Sequence, residues 1–147
     1  MDIESFNSDT CLNSELVYKQ TDILKSCKDK PYVIRGWERC KEKKVERNCR
    51  ICLKIYEGRQ LTELLEQNKD LIKFSKIFME NLSSFVKDSG FVVVLADSKA
   101  RILEVMGNEG ILKDSLQNLN FIKGACWDEE HVGNTAISTA IIERRPV

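Results

Sequence analysis

The sequence contains one C-x-x-C pair, Cys49 and Cys52, whose spacing is typical of zinc and redox sites. A structural zinc site needs four ligands. Cys40 could supply a third, but no second C-x-x-C and no pair of histidines follows. Cysteine beside a long helix also serves as a small apolar residue of a core. We therefore predict no metal site and leave open whether Cys49 and Cys52 meet.

A second possibility for chemistry lies at Cys126 and at His131, the single histidine of the chain. A thiolate and an imidazole can act as a nucleophile and its general base. Gly124 and Gly133 indicate a loop here, whereas one helix would turn the two side chains apart. The chain has no G-x-x-x-x-G-K-[ST], G-x-G-x-x-G or G-x-S-x-G motif. We predict no catalytic residues and no cofactor, and hence a protein that is not an enzyme.

Composition argues against several other classes of protein. The 147 residues include 23 basic and 23 acidic side chains, a formal net charge of zero, whereas a nucleic-acid-binding domain carries a positive excess. No apolar run approaches the ~20 residues of a membrane-spanning helix. The N-terminal MDIESFNSDT lacks the features of a signal peptide. We expect a cytoplasmic protein with free thiols, in direct contact with neither nucleic acid nor membrane.

The elements that would position these side chains begin with helices. Residues 1–30 are compatible with a short helix from Asn13 or Ser14 and equally with a loose arm. Pro31 fits the first turn of a helix. Its apolar face would consist of Val33, Ile34, Trp37 and Cys40. We predict that the basic residues between positions 39 and 50 form a solvated surface.

The segment Gln60–Asp88 contains neither Gly nor Pro, and its apolar residues repeat every seven positions. The pattern predicts one helix about 43 Å long, more than the thickness of a small domain. Part of its apolar band would then meet a second copy of the chain, although it could also pack only on its own domain. The residues predicted for this dimer helix are Leu64, Asn68, Leu71 and Phe78.

Strands are predicted after Gly90, a typical helix-ending residue. The β-branched run FVVVLA at 91–96 is typical of a buried strand, and RILEVM at 101–106 is typical of its hairpin partner. We expect a short helix at Ile111–Leu116. A last helix is predicted at Val132–Arg145, ended by Pro146.

The last 24 residues, GACWDEEHVGNTAISTAIIERRPV, resemble a known family motif. It is the G-x-x-W-S-E-x-x-x-G-T-N-A-I-G-T-A-L stretch followed by E-R-R-P-V in the GAF sensor region of bacterial sigma-54-dependent transcriptional activators. Residues 34–40 (IRGWERC) resemble the family's entry helix, I-x-x-S-W-x-R-C, and residues 91–103 resemble its first hairpin. The resemblance covers most of residues 31–147.

The chain departs from the family pattern at several positions. Asn134-Thr135 replaces Thr-Asn, Ser138 replaces a Gly, Gly36 replaces a Ser, and Ala100 replaces the Gly of the hairpin turn. We expect the swap at 134–135 to redirect the family's polar contacts. Since positive φ is costly for Ala, we also expect the hairpin turn to take another form.

The resemblance implies an α+β, GAF-like fold: an incomplete antiparallel sheet flanked by helices, preceded by a helical extension. We expect residues 1–59 to form that extension and residues 60–147 to form the long helix and a partial GAF-like domain. In the family, further strands, an ATPase domain and a DNA-binding helix-turn-helix follow. The chain is therefore expected to be a piece of a longer regulator.

The function implied by the resemblance is that of a signal-sensing, dimerising regulatory domain that binds a small-molecule effector. The predicted ligand-binding residues, which combine an aromatic wall with polar groups, are Trp127, His131, Asn134 and Thr135. One alternative is a structural dimerisation or partner-binding region without a ligand. Another is a thiol-based GAF-fold reductase or redox sensor that uses Cys126.

Overall fold

The fold is seen in a computed structural model, which describes residues 30–46, 51–86, 89–107, 110 and 117–147. The helices predicted near residue 13 and at Ile111–Leu116 lie outside this range, as does Cys49. The described elements, in chain order, are α1 (Pro31–Glu42), α2 (Gly58–Gln67), α3 (Lys69–Val86), β1 (Val92–Ala96), β2 (Ile102–Gly107), a 3-10 turn (Gln117–Leu119), α4 (Glu129–Val132) and α5 (Ala136–Glu143). They make a mixed fold of helices and a small antiparallel sheet, as the α+β prediction states.

The hairpin of β1 and β2 forms where the apolar run predicted it, with Val94 opposite Val105. Its turn is closed by a bond from the Ala100 N–H to the Asp97 carbonyl at 3.0 Å. One Asp97 carboxylate oxygen also accepts from the backbone N–H of Lys99 at 2.9 Å and of Arg101 at 3.0 Å. Ala100 adopts φ 58°, the left-handed conformation that favours Gly. The expected change of turn is therefore wrong, because Asp97 holds the backbone on both sides of Ala100.

A short extended segment, residues 124–127, lies between the hairpin and an earlier part of the chain. On one side, Ile102 donates to the Ala125 carbonyl at 2.8 Å. On the other side, the Cys126 N–H donates to the Lys54 carbonyl at 2.9 Å, and Ile55 pairs with Ala125. The core forms at this junction from Cys52, Ile102, Ala125, Trp127 and Val132. Residues on both sides of the boundary predicted at residue 59 therefore contribute to one core.

The single helix predicted for Gln60–Asp88 is wrong, because the structure contains two helices that meet at Asn68. The Asn68 side-chain amide donates to the Leu64 carbonyl at 2.9 Å, which is the bond that its backbone N–H would make in a continuous helix. That N–H donates to the Leu65 carbonyl instead, and φ of Asn68 is −110°. The side chain thus competes with the backbone and breaks α2 from α3.

The helix predicted at Val132–Arg145 is also wrong in its extent, since α4 and α5 are separated by residues 133–135. Gly133 ends α4 with φ 80° and ψ −163°, a conformation that side chains disfavour. The chain then turns through Asn134, and the extended Thr135 starts α5. The break places Asn134 and Thr135 in a connection between two helices. Among the described residues, no helix is long and apolar enough to cross a membrane.

Candidate functional site

A partly buried ion pair joins the first helix to the last part of the chain. The guanidinium of Arg39 on α1 contacts both carboxylate oxygens of Glu129 on α4, from Nη2 at 2.6 Å and from Nε at 3.0 Å and 3.2 Å. The Glu129 side chain is only 1% exposed. The hydrogen bond with Glu129 raises the pKa of Arg39 above its usual value. This pair, with partners 90 residues apart, ties α1 to α4.

A second ion pair also joins α1 to the last part of the chain. We call the packed helices α1, α4 and α5 the layer. Arg35 of α1 donates to both carboxylate oxygens of Glu143 at the end of α5, at 3.1 Å and 2.5 Å. The hydrogen bond from Arg35 lowers the pKa of Glu143. The sequence analysis does not predict these two ion pairs, which join distant parts of one chain. Arg39, Glu129 and Glu143 all lie in the stretches that carry the family resemblance, and their opposite charges were the available signal.

Asn134, one of the predicted ligand-binding residues, connects two helices. Its amide nitrogen donates to the Val33 carbonyl of α1 at 3.2 Å, and its oxygen accepts from the Thr139 hydroxyl of α5 at 2.5 Å. A Cβ at Gly36 would lie 2.4 Å from that amide nitrogen, so this approach needs glycine. Two departures from the family pattern, Gly36 and Asn134, are therefore in contact: the longer side chain at 134 occupies space that the missing side chain at 36 leaves free.

Thr135 begins α5, and its partner is another departure from the family pattern. Its hydroxyl accepts from the Ser138 N–H at 3.2 Å, and the Ser138 hydroxyl accepts from the Thr135 N–H at 3.0 Å. This reciprocal arrangement is a capping box. The swap at 134–135 and the Gly-to-Ser change at 138 thus form one local unit.

Trp127 lies in the core with 9% of its surface exposed. Its ring meets Phe121 edge to face with centroids 4.5 Å apart, and its indole N–H donates to the Asn120 carbonyl at 3.3 Å. The aromatic ring is therefore a packing anchor between the 3-10 turn and α4. The four predicted ligand residues do lie in one short stretch, but each of the three described so far holds an intramolecular contact.

His131, the fourth of them, belongs to a cluster with Asp128 and Cys126. Asp128 caps α4 by accepting from the His131 N–H at 2.9 Å, and its same oxygen lies 2.6 Å from His131 Nδ1. The Cys126 thiol donates to the other Asp128 oxygen at 3.4 Å. Burial of Asp128 would raise its pKa, but the hydrogen bonds from His131 and Cys126 lower it overall.

The state of Cys126 bears on the predicted thiol chemistry. Burial, followed by the negative charge of Asp128, raises the pKa of Cys126 to about 11. The residue is therefore a neutral thiol at pH 7, whereas a reactive cysteine needs a thiolate. Cys52 is buried in the core, and its thiol donates to the carbonyls of Lys54 and Cys126 at 3.3 Å and 3.2 Å.

An open cleft of about 250 Å³ lies between α2 and the hairpin. Its lining residues are Tyr56, Gln60, Glu63, Leu64, Gln67 and Arg101. Arg101 is held at one end, since its guanidinium pairs with Asp97 and lies 5.6 Å from the centre of the Tyr56 ring. The cleft thus combines amide and guanidinium donors with one buried apolar side chain, Leu64.

Among the residues that the structure describes, six exposed large apolar side chains lie along one side of α3, which we call the outer face of α3. It consists of Leu71, Phe74, Ile77, Phe78, Leu82 and Phe85, with exposures between 43% and 85%. Met79, on the opposite side of the helix, is buried, and α3 packs with that side on β1 and β2. Of the predicted dimer residues, Leu71 and Phe78 lie on the outer face. Leu64 is buried within the chain, and Asn68 bonds to its carbonyl.

Comparison with known proteins relates this chain to transcriptional regulators. It is 26% identical over 125 residues to the acetoin dehydrogenase operon transcriptional activator AcoR of Bacillus subtilis, an alignment that spans 85% of the chain and 20% of the relative. It is 32% identical over 90 residues to a signal-transduction and transcriptional-control protein of Clostridium beijerinckii, which spans 61% of the chain and 14% of the relative. An uncharacterized 47.3 kDa protein of Rhodococcus erythropolis is 27% identical over 74% of the chain and 24% of its own length.

Among solved structures, a chain of the E. coli DhaR(N)–DhaL complex superposes with a TM-score of 0.69 at 21% identity, covering 77% of this chain and 38% of that one. No protein-family model matches the sequence. The two relatives whose names state a role are regulators and not enzymes, in agreement with the prediction that this chain is not an enzyme. The chain shares its fold with the DhaR(N)–DhaL structure and is homologous to a part, 14–24%, of longer relatives that include two transcriptional regulators.

Proposed function

We propose that this chain is the signal-sensing and dimerising region of a cytoplasmic, sigma-54-dependent transcriptional regulator with a GAF-like fold. The observation that carries the proposal is the relationship to AcoR, which extends over 85% of the chain. The resemblance to the GAF motif in residues 124–147 supports the same assignment. In this proposal the chain receives a signal, and other parts of the regulator act on transcription.

The outer face of α3 is the proposed dimer interface. Its six apolar side chains recur at helical steps along an 18-residue helix, which spans about 27 Å. A contiguous exposed apolar surface of this kind marks an interaction site on a soluble protein. The zero net charge of the chain adds no strong repulsion between two copies. Two outer faces packed against each other would remove this surface from water.

The proposed effector site is the cleft between α2 and the hairpin. Trp127, His131, Asn134 and Thr135 make internal contacts that a ligand would first have to replace. The cleft is already open, and its volume of about 250 Å³ lies just below the ~300–1,000 Å³ of common ligand pockets. Gln60, Gln67 and Arg101 can donate to a carbonyl, and Glu63 can accept from a hydroxyl. A small hydroxyketone such as acetoin has both groups.

The break at Asn68 connects the proposed effector site with the proposed interface. Gln60, Glu63, Leu64 and Gln67 of α2 line the cleft, and α3 begins one residue after the break. A ligand that prefers one angle between α2 and α3 would shift the position of the outer face. Signal binding and dimer geometry would then be coupled through one hinge residue.

A thermal-shift titration of the purified chain with acetoin tests the effector site. Saturation at about 100 times the Kd adds about 2.7 kcal/mol of stability, which raises Tm by roughly 5–10 °C in a chain of this size. Gln67→Leu should remove the shift, and Thr62→Ala, on an exposed part of the same helix, should retain it. Absence of a shift with acetoin, or an undiminished shift in Gln67→Leu, contradicts this effector site.

The second candidate function is a partner-binding region that has no ligand. It is favoured by the six exposed apolar side chains of the outer face. The structural neighbour was itself solved as a complex of two different proteins, DhaR(N) and DhaL. In this case the isolated chain would be monomeric, no metabolite would change its stability, and a different protein would cover the outer face.

A further inference from the structure

The side chains of Cys126, Asp128 and His131 converge at the start of α4. One sulfur, one carboxylate oxygen and one ring nitrogen all lie within 4.8 Å of one another. Thiolate, carboxylate and imidazole are the three common ligand types for zinc, and a thiolate selects against Mg²⁺ and Ca²⁺. We propose that this cluster binds one divalent transition-metal ion of the zinc type, with a fourth coordination position left open.

The backbone already fixes the three ligands. Cys126 is tied to two neighbouring segments, through its N–H to the Lys54 carbonyl at 2.9 Å and through a bridge to Arg101. Asp128 and His131 are held three residues apart by the cap of α4. Asp128 stands where the GAF motif quoted above has Ser, so the carboxylate is a property of this chain. Such preorganisation lowers the entropy lost when an ion binds.

The exchange of bonds balances without a redox step. In the apo form the thiol donates to one Asp128 oxygen at 3.4 Å, and the other oxygen lies 2.6 Å from His131 Nδ1. On binding, the thiol proton leaves to solvent. His131 gives up its Nδ1 hydrogen bond to Asp128 and carries its ring proton on Nε2, so that the sulfur, Nδ1 and the carboxylate oxygen freed by the thiol bond to the ion. The second carboxylate oxygen can continue to accept from the backbone N–H of His131, which lies 2.9 Å from it in the apo form. The cap of α4 is thereby retained, and two anionic ligands neutralise the charge of the ion.

The cluster is also open on one side. The Cys126 residue is 5% exposed, whereas the side chains of Asp128 and His131 are 33% and 37% exposed. An ion can therefore enter from solvent past the carboxylate and the imidazole and meet the sulfur at the base. The open fourth position would hold water or an anionic small molecule. This site shares no lining residue with the cleft or with the outer face of α3, so it does not depend on the proposed function.

The test is a titration of the full chain with Co²⁺, followed by displacement with Zn²⁺. We expect one ion per chain and an absorption band from sulfur-to-cobalt charge transfer that Zn²⁺ abolishes. Cys126→Ser should remove the band. Asp128→Asn and His131→Gln should each weaken Zn²⁺ binding by more than about 100-fold, since the loss of an outer-shell partner alone costs up to about that much.

Two controls keep the result interpretable. Asn caps helices as well as Asp does, so Asp128→Asn should keep the wild-type circular dichroism spectrum while it loses the ion. Cys40→Ser and Cys49→Ser should keep the band. The proposal is overturned if no thiolate band forms, or if the band persists in Cys126→Ser and disappears in Cys49→Ser. Sedimentation and acetoin titration of the same samples report on the proposed function independently.

Discussion

Two regions of the molecule differ in where their side chains find partners. One is the layer formed by α1, α4 and α5, and the other is the outer face of α3. In the layer, each polar side chain that we followed has a partner within the chain: Arg39 pairs with Glu129, Asn134 bonds to Val33 and Thr139, and Thr135 bonds to Ser138. On the outer face, Phe74, Phe78 and Phe85 are 68%, 69% and 85% exposed. The contacts between these helices are therefore satisfied within the chain, whereas the outer face exposes apolar surface that a partner would cover.

In the proposed function, a signal acts at the cleft and the outer face and not in the layer. Many of the residues that resemble the GAF motif lie in the layer. The side chains of Asn134 and Thr135 there already make hydrogen bonds within the chain. A small molecule would have to break that layer in order to bind there. The proposed effector site in the cleft and the proposed interface on the outer face are joined by the break at Asn68, and a ligand in the cleft would leave the layer intact.

The strongest test of the layer is Arg39→Met. It leaves the Glu129 carboxylate, 1% exposed, without its ion-pair partner. Removal of one member of a buried pair costs about 3–5 kcal/mol, and urea denaturation measures the loss. The matched control is Lys43→Met, which removes an exposed pair with the neighbouring Glu130 and should cost less than about 1 kcal/mol. Equal effects of the two variants would show that the layer is not the more tightly held region.

The contact between Gly36 and Asn134 gives the next largest effect. Gly36→Ser adds a Cβ 2.4 Å from the Asn134 amide nitrogen, and we expect a destabilisation of about 1–3 kcal/mol from overpacking. Asn134→Thr, the residue of the family motif, should relieve part of this strain. A double-mutant cycle should give a coupling of about 0.5–3 kcal/mol. Additive effects would contradict a direct compensation between the two positions.

The capping box of α5 should contribute less. Thr135→Ala removes the acceptor for the Ser138 N–H and should cost about 1 kcal/mol. Ser138→Gly removes the reciprocal bond to the Thr135 N–H. Because each bond supports the other, the double variant should lose less stability than the sum of the single ones. A sum that is fully additive would show that the two residues act separately.

The smallest expected effect in the layer is on the dependence of stability on pH. The hydrogen bond from Arg35 lowers the pKa of Glu143 in the folded chain, so the pair stabilises the fold above the unfolded pKa of about 4.3. This contribution is lost as the pH falls through the lower, folded pKa. Arg35→Met should therefore weaken the dependence of the unfolding midpoint on pH as the pH falls below the unfolded pKa of Glu143. An unchanged profile would contradict the pairing.

Several elements could be predicted from the sequence because their signals are local. Pro31 indicated the start of α1, and the β-branched run before Asp97 indicated β1 and its hairpin. The breaks at Asn68 and Gly133 were missed for different reasons. Periodicity does not show that the Asn68 side chain will take the Leu64 carbonyl from the backbone. Gly133 did offer a signal, since glycine often ends a helix with positive φ.

The candidate sites depend on contacts that no local pattern contains. Arg39 and Glu129 lie 90 residues apart, and their pairing follows from how α1 packs on α4. The sequence analysis pairs Cys126 with His131 as possible nucleophile and base. It does not include Asp128, whose carboxylate contacts both side chains. The outer face of α3 was predicted better, because heptad spacing does report which residues share one side of a helix. Leu64 was the exception, since the break at Asn68 leaves it on the inner side of α2.

Sedimentation velocity over a range of concentrations tests most directly whether two copies of the chain dimerise through the outer face of α3. The wild-type chain should be a dimer, and Phe78→Asp should raise the dimer Kd by more than about 30-fold, as loss of an apolar hot spot does. Lys73→Asp, on the polar side of the same helix, should leave the dimer intact. A wild-type chain that remains monomeric, or a dimer that is unchanged by Phe78→Asp, would contradict the account.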